Sequence, residues 1–300
     1  MKKLMKKLIK GVLKFVKHTF LTVWFFTKYL LKGRWMSNFS LKEKNGKTLT
    51  LLANAPSLKG VLSRLERDSE FKNTDFVVLN YFANTPEFFM IKPTHYCFAD
   101  PMFYKKDHNF ERVQALFRLL DEKVDWDMNV YIVGGEKRNF KQFSELTNSH
   151  LHIHPVNGDE FRGYPCIKNY IYKKGITSPI FSTVAIMAIF VGINSGYSNI
   201  RLYGVDHTFF NGLCVNDQNQ ACMREEHFYE TEPTLKPIIK NGDDKIFKMS
   251  EYIYSISLMF KSHDQLAAYA ASVGTNILNC TECSLIDSYP REKNTKQQNE

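Results

Sequence analysis

Between residues 48 and 290 short apolar runs alternate with helical patterns, and the alternation predicts the architecture. Strands are expected at 48–53, 75–80, 94–99, 129–133, 199–203 and 275–278, with a short one at 151–154. Helices are expected at 57–67, 109–120 and 262–271. The segment 178–193 is apolar almost all round, which predicts a helix buried on every side. Residues 207–250 are polar, mixed and weakly periodic, and a stretch that long inside a compact domain reads as a lid or binding insertion. Strands alternating with helices imply an α/β fold: a parallel sheet covered by helices on both faces. No internal repeat is visible, and the polar tail 291–300 is expected to be disordered.

The first 36 residues follow another pattern. Lys3, Lys7, Lys10, Lys14 and Lys17 recur at steps of three and four and share one helical face. Leu4, Met5, Leu8, Ile9, Val12, Leu13, Phe15 and Val16 fill the other side. The longest lysine-free stretch, about 19–27, is too short to span a bilayer. The expectation is a basic amphipathic helix lying in the interface of an anionic membrane, with Trp24 and Trp35 at headgroup level. A signal peptide fits less well, because Lys28 interrupts its apolar part and no small-x-small cleavage site follows. The remaining alternative is a helix packed on its own domain or on a partner. A polar linker, 37–47, with the turn signal Asn45-Gly46, joins this segment to the domain.

Charge sharpens the division. Ten of the chain's 40 basic residues lie in the first 34 positions, where there is no acid, leaving 30 against all 31 acidic residues. The basic excess belongs to the N-terminus, so the folded part offers no basic surface suited to nucleic acid. Six cysteines scattered over 300 residues do not form a disulfide framework and suit a reducing compartment. Cys280-x-x-Cys283 has no second pair at zinc spacing and reads as packing near a strand end.

In parallel sheets ligands bind at the carboxyl ends of the strands. Those ends offer Asn54, Asn80, Asp100, Gly134-Gly135 and Asp206-His207. Neither a dinucleotide fingerprint nor a Walker A loop is present. Asn54 and Asn80 suit phosphate or ribose oxygens, and a helix starting near Ser57 offers backbone N–H groups to an anion; equally, Asn54 is a good helix cap. Thr177-Ser178-Pro179, ahead of the buried helix, reads both as a cap and as a phosphate or carboxylate site. Asp125-Trp126-Asp127 looks like the acidic motif of metal-dependent glycosyltransferases but precedes a strand, at the wrong end of the sheet. His227, in the polar insertion, has a residue type suited to taking a hydroxyl proton, although a lone loop histidine is more often a surface group.

Taken in order, these motifs resemble a known family. Leu51-Leu52-Ala53-Asn54-Ala55-Pro56-Ser57-Leu58 is similar to the first strand and turn of the bacterial lipooligosaccharide sialyltransferases, which read Gly-Asn-Gly-Pro-Ser-Leu there. Leu79-Asn80-Tyr81-Phe82, Ala99-Asp100-Pro101, Gly175-Ile176-Thr177-Ser178-Pro179, Ile200 to Asp206, and His227-Phe228-Tyr229 follow in the family's order. The related motility-accessory-factor and pterin-diphosphokinase-like families share Gly204-Val205-Asp206-His207 and His227-Phe228-Tyr229. The resemblance covers roughly 48–290 and implies a variant Rossmann-like domain with a lid. It also implies metal-independent, inverting transfer from a CMP-activated nonulosonic acid. It makes His227 the base that deprotonates the acceptor. It places Asn54, Asn80 and Ser178 on the donor, with Ser57, Asp100, Thr177, Asp206 and Tyr229 in the same binding set.

Two departures stand out. The family carries tyrosines after the Gly-Ile-Asp strand end to stabilise the departing phosphate, where this chain reads His207-Thr208-Phe209-Phe210. Either His207 takes over that role or the donor differs. Asp100 stands where the family has asparagine, which suits ribose or base better than phosphate. The expectation is a peripheral glycosyltransferase on the cytoplasmic face of the inner membrane, using a nucleotide-sugar donor and no cofactor. It would extend a glycan or glycolipid acceptor in lipopolysaccharide or capsule synthesis; self-association stays open. A pterin diphosphokinase-like enzyme and a non-catalytic membrane-surface protein are the alternatives.

Overall fold

The computed structural model describes residues 2–225, 234–240 and 245–292. A long helix α1 (Lys2–Leu31) is followed by strand β1 (Thr48–Leu52), helix α2 (Leu58–Leu62), β2 (Thr74–Leu79), α3 (Pro86–Ile91), β3 (His95–Phe98) and α4 (Phe110–Lys123). Then come β4 (Met128–Val133), α5 (Lys137–Ser144), β5 (Leu151–Val156), α6 (Lys168–Lys173), α7 (Val184–Asn194) and β6 (Asn199–Tyr203). Three short strands, β7 (Leu213–Val215), β8 (Ala221–Glu225) and β9 (Thr234–Pro237), precede α8 (Met249–Ser272) and β10 (Asn276–Asn279).

Seven strands form one sheet in the order β10-β6-β1-β2-β3-β4-β5, with every neighbouring pair parallel. Because strand side chains alternate, each strand feeds two cores. Leu49, Leu51, Val77, Leu79, Cys97, Tyr131, Ile200 and Leu202 pack beneath α6, α7 and α8. Leu52, Phe76, Val78, Tyr96, Phe98, Val130, Ile132 and Tyr203 pack against α2 to α5. Helices thus cover both faces, as a wholly parallel sheet requires. α7 is buried from Ala185 to Asn194, as its continuous apolar run demands.

Several boundaries differ from the sequence pattern. α7 begins at Val184, six residues later than expected, because Thr183 is extended and Thr177 and Ser178 bond to nearby carbonyls instead of capping a helix. The helix expected over 57–67 keeps α geometry only to Leu62, with Gly60 inside it, and runs on as tighter turns to Arg67. α8 starts thirteen residues earlier than expected. β5 continues through Pro155, which an edge strand tolerates. The polar insertion contains a three-stranded antiparallel sheet, β7-β8-β9.

The C-terminal half of α1 rests on the loop after β5. His18 Nδ1 lies 2.9 Å from the Gly163 carbonyl, and Thr22 Oγ1 accepts from the Tyr164 N–H at 3.2 Å. The Phe25 ring meets Phe161 edge-on at 5.1 Å, and Tyr29 donates to Asn38 at 2.7 Å. The linker is pinned as well: Leu41 and Lys42 donate backbone N–H groups to the carbonyls of Lys173 and Asn194, both at 2.8 Å. By contrast Leu4, Met5, Leu8, Ile9, Val12, Leu13, Val16, Phe20 and Val23 are all more than half exposed. Among the described residues no helix is long and apolar enough to cross a membrane.

Candidate functional site

The chain passes from β1 through β2, β3, β4 and β5 on one side, then returns to place β6 on the other side of β1. The topological switch point therefore lies between β1 and β6, where open α/β sheets form a crevice at the carboxyl ends. The sequence-predicted residues Asp206, Ser57, Asn54, Asn80 and Asp100 stand along this edge in strand order β6, β1, β2, β3. Three strand spacings make the row about 14 Å long, the scale of a nucleotide with its sugar.

At the switch point Asp206 and Ser57 are locked together. The Ser57 N–H donates to Asp206 Oδ2 at 3.2 Å, and the Ser57 hydroxyl donates to Oδ1. The backbone donor expected to meet a phosphate is thus occupied by the protein's own carboxylate. The adjoining turn is tight: Gly204 has φ +69°, and a Cβ there would lie 3.0 Å from the Ala53 carbonyl oxygen. Loop 279–286 braces the same strand end. The Val205 N–H donates to Thr281 Oγ1 at 3.1 Å, and the Ser284 hydroxyl donates to the Val205 carbonyl at 2.8 Å.

Next along the edge the chemistry is open. Asn54 is exposed and gives its Nδ2 to the Leu79 carbonyl at 3.0 Å, which joins the ends of β1 and β2. Asn80, left-handed at φ 47°, is held through its backbone by Cys97 and by the Tyr96 hydroxyl. Its buried Oδ1 has no hydrogen-bond partner. Asp100 accepts the Met102 N–H at 3.2 Å, and burial raises its pKa, with Asp107 adding to the rise against that hydrogen bond.

α7 supplies the floor. Gly192 near its C-terminus packs on Leu49 and Ile200 at the beginnings of β1 and β6, so its N-terminus points to the carboxyl edge. The first N–H groups of a helix lack intrahelical partners, and the Thr183 hydroxyl at this one is a second buried polar atom with none. Sequence reasoning passed over Thr183 because Thr177-Ser178-Pro179 carried the stronger helix-start signal. Thr177 and Ser178 are fully buried and spent on backbone, the first on the Asp159 carbonyl and the second on that of Pro179 at 2.7 Å.

Beyond β6 lies a buried relay. His207, left-handed at φ 53°, places Nε2 2.9 Å from Nε2 of His263 on α8, whose Nδ1 is 3.0 Å from the Tyr289 hydroxyl. Two facing Nε2 atoms share one proton, so one ring donates and the other accepts. Burial lowers the His207 pKa to about 4 and that of His263 to about 3, with His207 contributing to the latter. At neutral pH His207 is uncharged, so its ring can give or accept a hydrogen bond or pass a proton, but carries no positive charge. His263 and Tyr289 were missed in sequence. Their only signal is that His263 shares a helical stripe with Met259, Leu266 and Ala270, all buried.

His227 and Tyr229 lie outside the described residues. Asp125 pairs with Lys92 at 2.8 Å and Asp127 with His150 and His152, at the opposite end of the sheet from the crevice. Among the described residues no group of three or more His, Cys, Asp or Glu side chains is gathered to hold a metal ion. All six cysteines are free.

No protein-family model matches this chain, and no curated protein does. The site has a chemistry of its own. That chemistry is a line of amides and hydroxyls with one raised carboxyl group, suited to the uncharged edges of a ribose and a base. A helix N-terminus below it is suited to an anion.

Proposed function

We propose that the chain is a metal-independent, inverting glycosyltransferase that takes its sugar from a nucleotide donor, a CMP-activated nonulosonic acid. The observation that carries the reading is a group of unpartnered buried oxygens at the carboxyl edge where such sheets bind ligands: Asn80 Oδ1, Thr183 Oγ1 and, just after β5, Asn157 Oδ1. A buried polar atom without a partner costs about 1–3 kcal/mol, a cost that a bound hydroxyl or amino group would remove.

In this reading Asn54, Asn80 and Asp100 meet the ribose and base, and the N-terminus of α7 faces the phosphate or the sugar carboxylate. The neutral His207 ring supports the departing phosphate through a hydrogen bond. His227, assigned by the sialyltransferase resemblance, takes the proton of the acceptor hydroxyl as the anomeric carbon is attacked from the face opposite CMP. General-base assistance of this kind contributes typically about 10²- to 10⁴-fold. The exposed apolar side of α1 beside its lysines attaches the enzyme to the cytoplasmic face of the inner membrane, where a lipid-linked acceptor is found.

The test is turnover. Purified full-length protein given a CMP-activated nonulosonic acid and a lipooligosaccharide acceptor should release CMP in EDTA, and His227→Ala should abolish release. No CMP release, or release only with added metal, would overturn the proposal.

A further inference from the structure

A cavity of about 350 Å³ lies where α1 meets the loop after β5. Its apolar wall is Leu21, Trp24 and Phe25 of the helix. Four cations border it: Lys28, Lys32, Arg34 and Arg162. Only two carboxylates do so, and both are already paired. Arg34 Nε sits 3.1 Å from an Asp159 oxygen, an ion pair by distance in which the buried Nε–H makes no hydrogen bond, and Arg162 pairs with Glu160. Lys28 and Lys32 meet no carboxylate among the described residues; Lys28 rests over the Trp24 ring at 4.9 Å. The border of the cavity therefore carries an excess of two positive charges, on the exposed Lys28 and Lys32, a setting for one compact anion.

Arg34 is built in. Only 17 % of its side chain is exposed, and its guanidinium covers Gly135 so closely that a Cβ there would collide with it. Gly135 and Asp159 follow β4 and β5, so this cavity and the donor crevice share the carboxyl edge of one sheet. From β3 to β5 is two strand spacings, about 10 Å. Around the cavity α1 and the turn after it expose apolar side chains: Trp24 50 %, Leu31 83 %, Trp35 56 % and Met36 72 %. A free phosphate has no use for that rim, and a lipid chain does.

We infer that this cavity binds the phosphate of a membrane lipid, with Lys28, Lys32 and Arg34 on the phosphate and the lipid tail along the exposed apolar residues of α1. The inference rests on the transferase reading for its purpose: a lipid phosphate held there leaves room for a sugar to reach the donor crevice. It names the acceptor class as a lipid phosphate glycan.

The experiment titrates the full chain calorimetrically with dihexanoyl phosphatidic acid below its micelle concentration, beside inorganic phosphate and dihexanoyl phosphatidylcholine. Saturable binding of one phosphatidic acid is expected, about tenfold tighter than inorganic phosphate, with no binding of phosphatidylcholine. Each lysine near an anionic headgroup is worth about fivefold, so K28A/K32A should weaken binding by roughly 25-fold. K3A/K7A, on the same helix but outside the cavity, should leave it unchanged. Equal loss in both variants, non-saturable binding, or inorganic phosphate binding as tightly as the lipid would overturn the inference. CMP binding, read on the same samples, separates the two proposals. Protein that binds CMP and not the lipid refutes the inference alone, and protein that binds the lipid and not CMP upholds it while removing the transferase reading.

Discussion

Acidification should destabilise this protein well before its carboxylates begin to protonate, and the reason is the buried relay beside the crevice. His207 and His263 have ordinary values of 6.5 when unfolded, but burial holds them near 4 and near 3 in the fold. His95 lies between the Tyr131 and Tyr197 hydroxyls at 3.3 and 2.8 Å, and burial lowers it to about 4. A depressed histidine means that the unfolded chain binds protons which the native one refuses. Stability is therefore complete above about pH 6.5 and is lost as the pH falls toward the folded values. At pH 5 each of the three costs about 2 kcal/mol, roughly 6 in all, a large part of a typical domain's stability. Urea unfolding followed by circular dichroism between pH 8 and pH 5 measures this. The H207Q/H263Q double variant should lose about 4 kcal/mol of that dependence whatever its absolute stability. A wild-type profile flat to within about 1 kcal/mol, or a double variant with the same slope, would refute the neutral-relay argument.

Other consequences are local. Asp206→Ala leaves the Ser57 N–H and hydroxyl without their acceptor and should cost about 2–3 kcal/mol in urea unfolding; a loss below about 0.5 would contradict the latch. A Cβ at Gly163 would run into Thr22 Oγ1. Gly163→Val should therefore speed amide exchange in α1 and leave the sheet strands protected to within about tenfold; unchanged exchange in α1 would mean that the helix is not seated as described.

What the sequence made legible is the part governed by local pattern. The seven strands and the buried helix were readable because their apolar runs are short, β-branched or continuous, and the strand ends followed from the sheet being parallel. The first half of α8 was not, because exposed Ile253 and Tyr254 interrupt the stripe formed by Tyr252, Ile256 and Met259. The strands of the small sheet have three to five residues each and too few alternations to announce themselves. Contacts across long separations were invisible. Ser57 and Asp206 are 149 residues apart, and His207 and His263 are 56 apart, so neither the occupied helix end nor the relay could be inferred from spacing. Asn54 and Asn80 stood out as strand-end amides, yet that one would be tied to the Leu79 carbonyl and the other left with a bare Oδ1 emerged only from the fold.

The claim on which the rest depends is that the open stretch of the carboxyl edge, from Asn54 to Asp100, receives the donor's nucleotide. Calorimetric titration of CMP into the wild-type chain and into Asn54→Ala and Asn80→Ala tests it directly. One saturable CMP site is expected in EDTA, weakened about tenfold or more by each substitution, with UDP, GDP and ATP binding less tightly. A chain that binds no nucleotide, or that binds CMP equally well in all three forms, would contradict it.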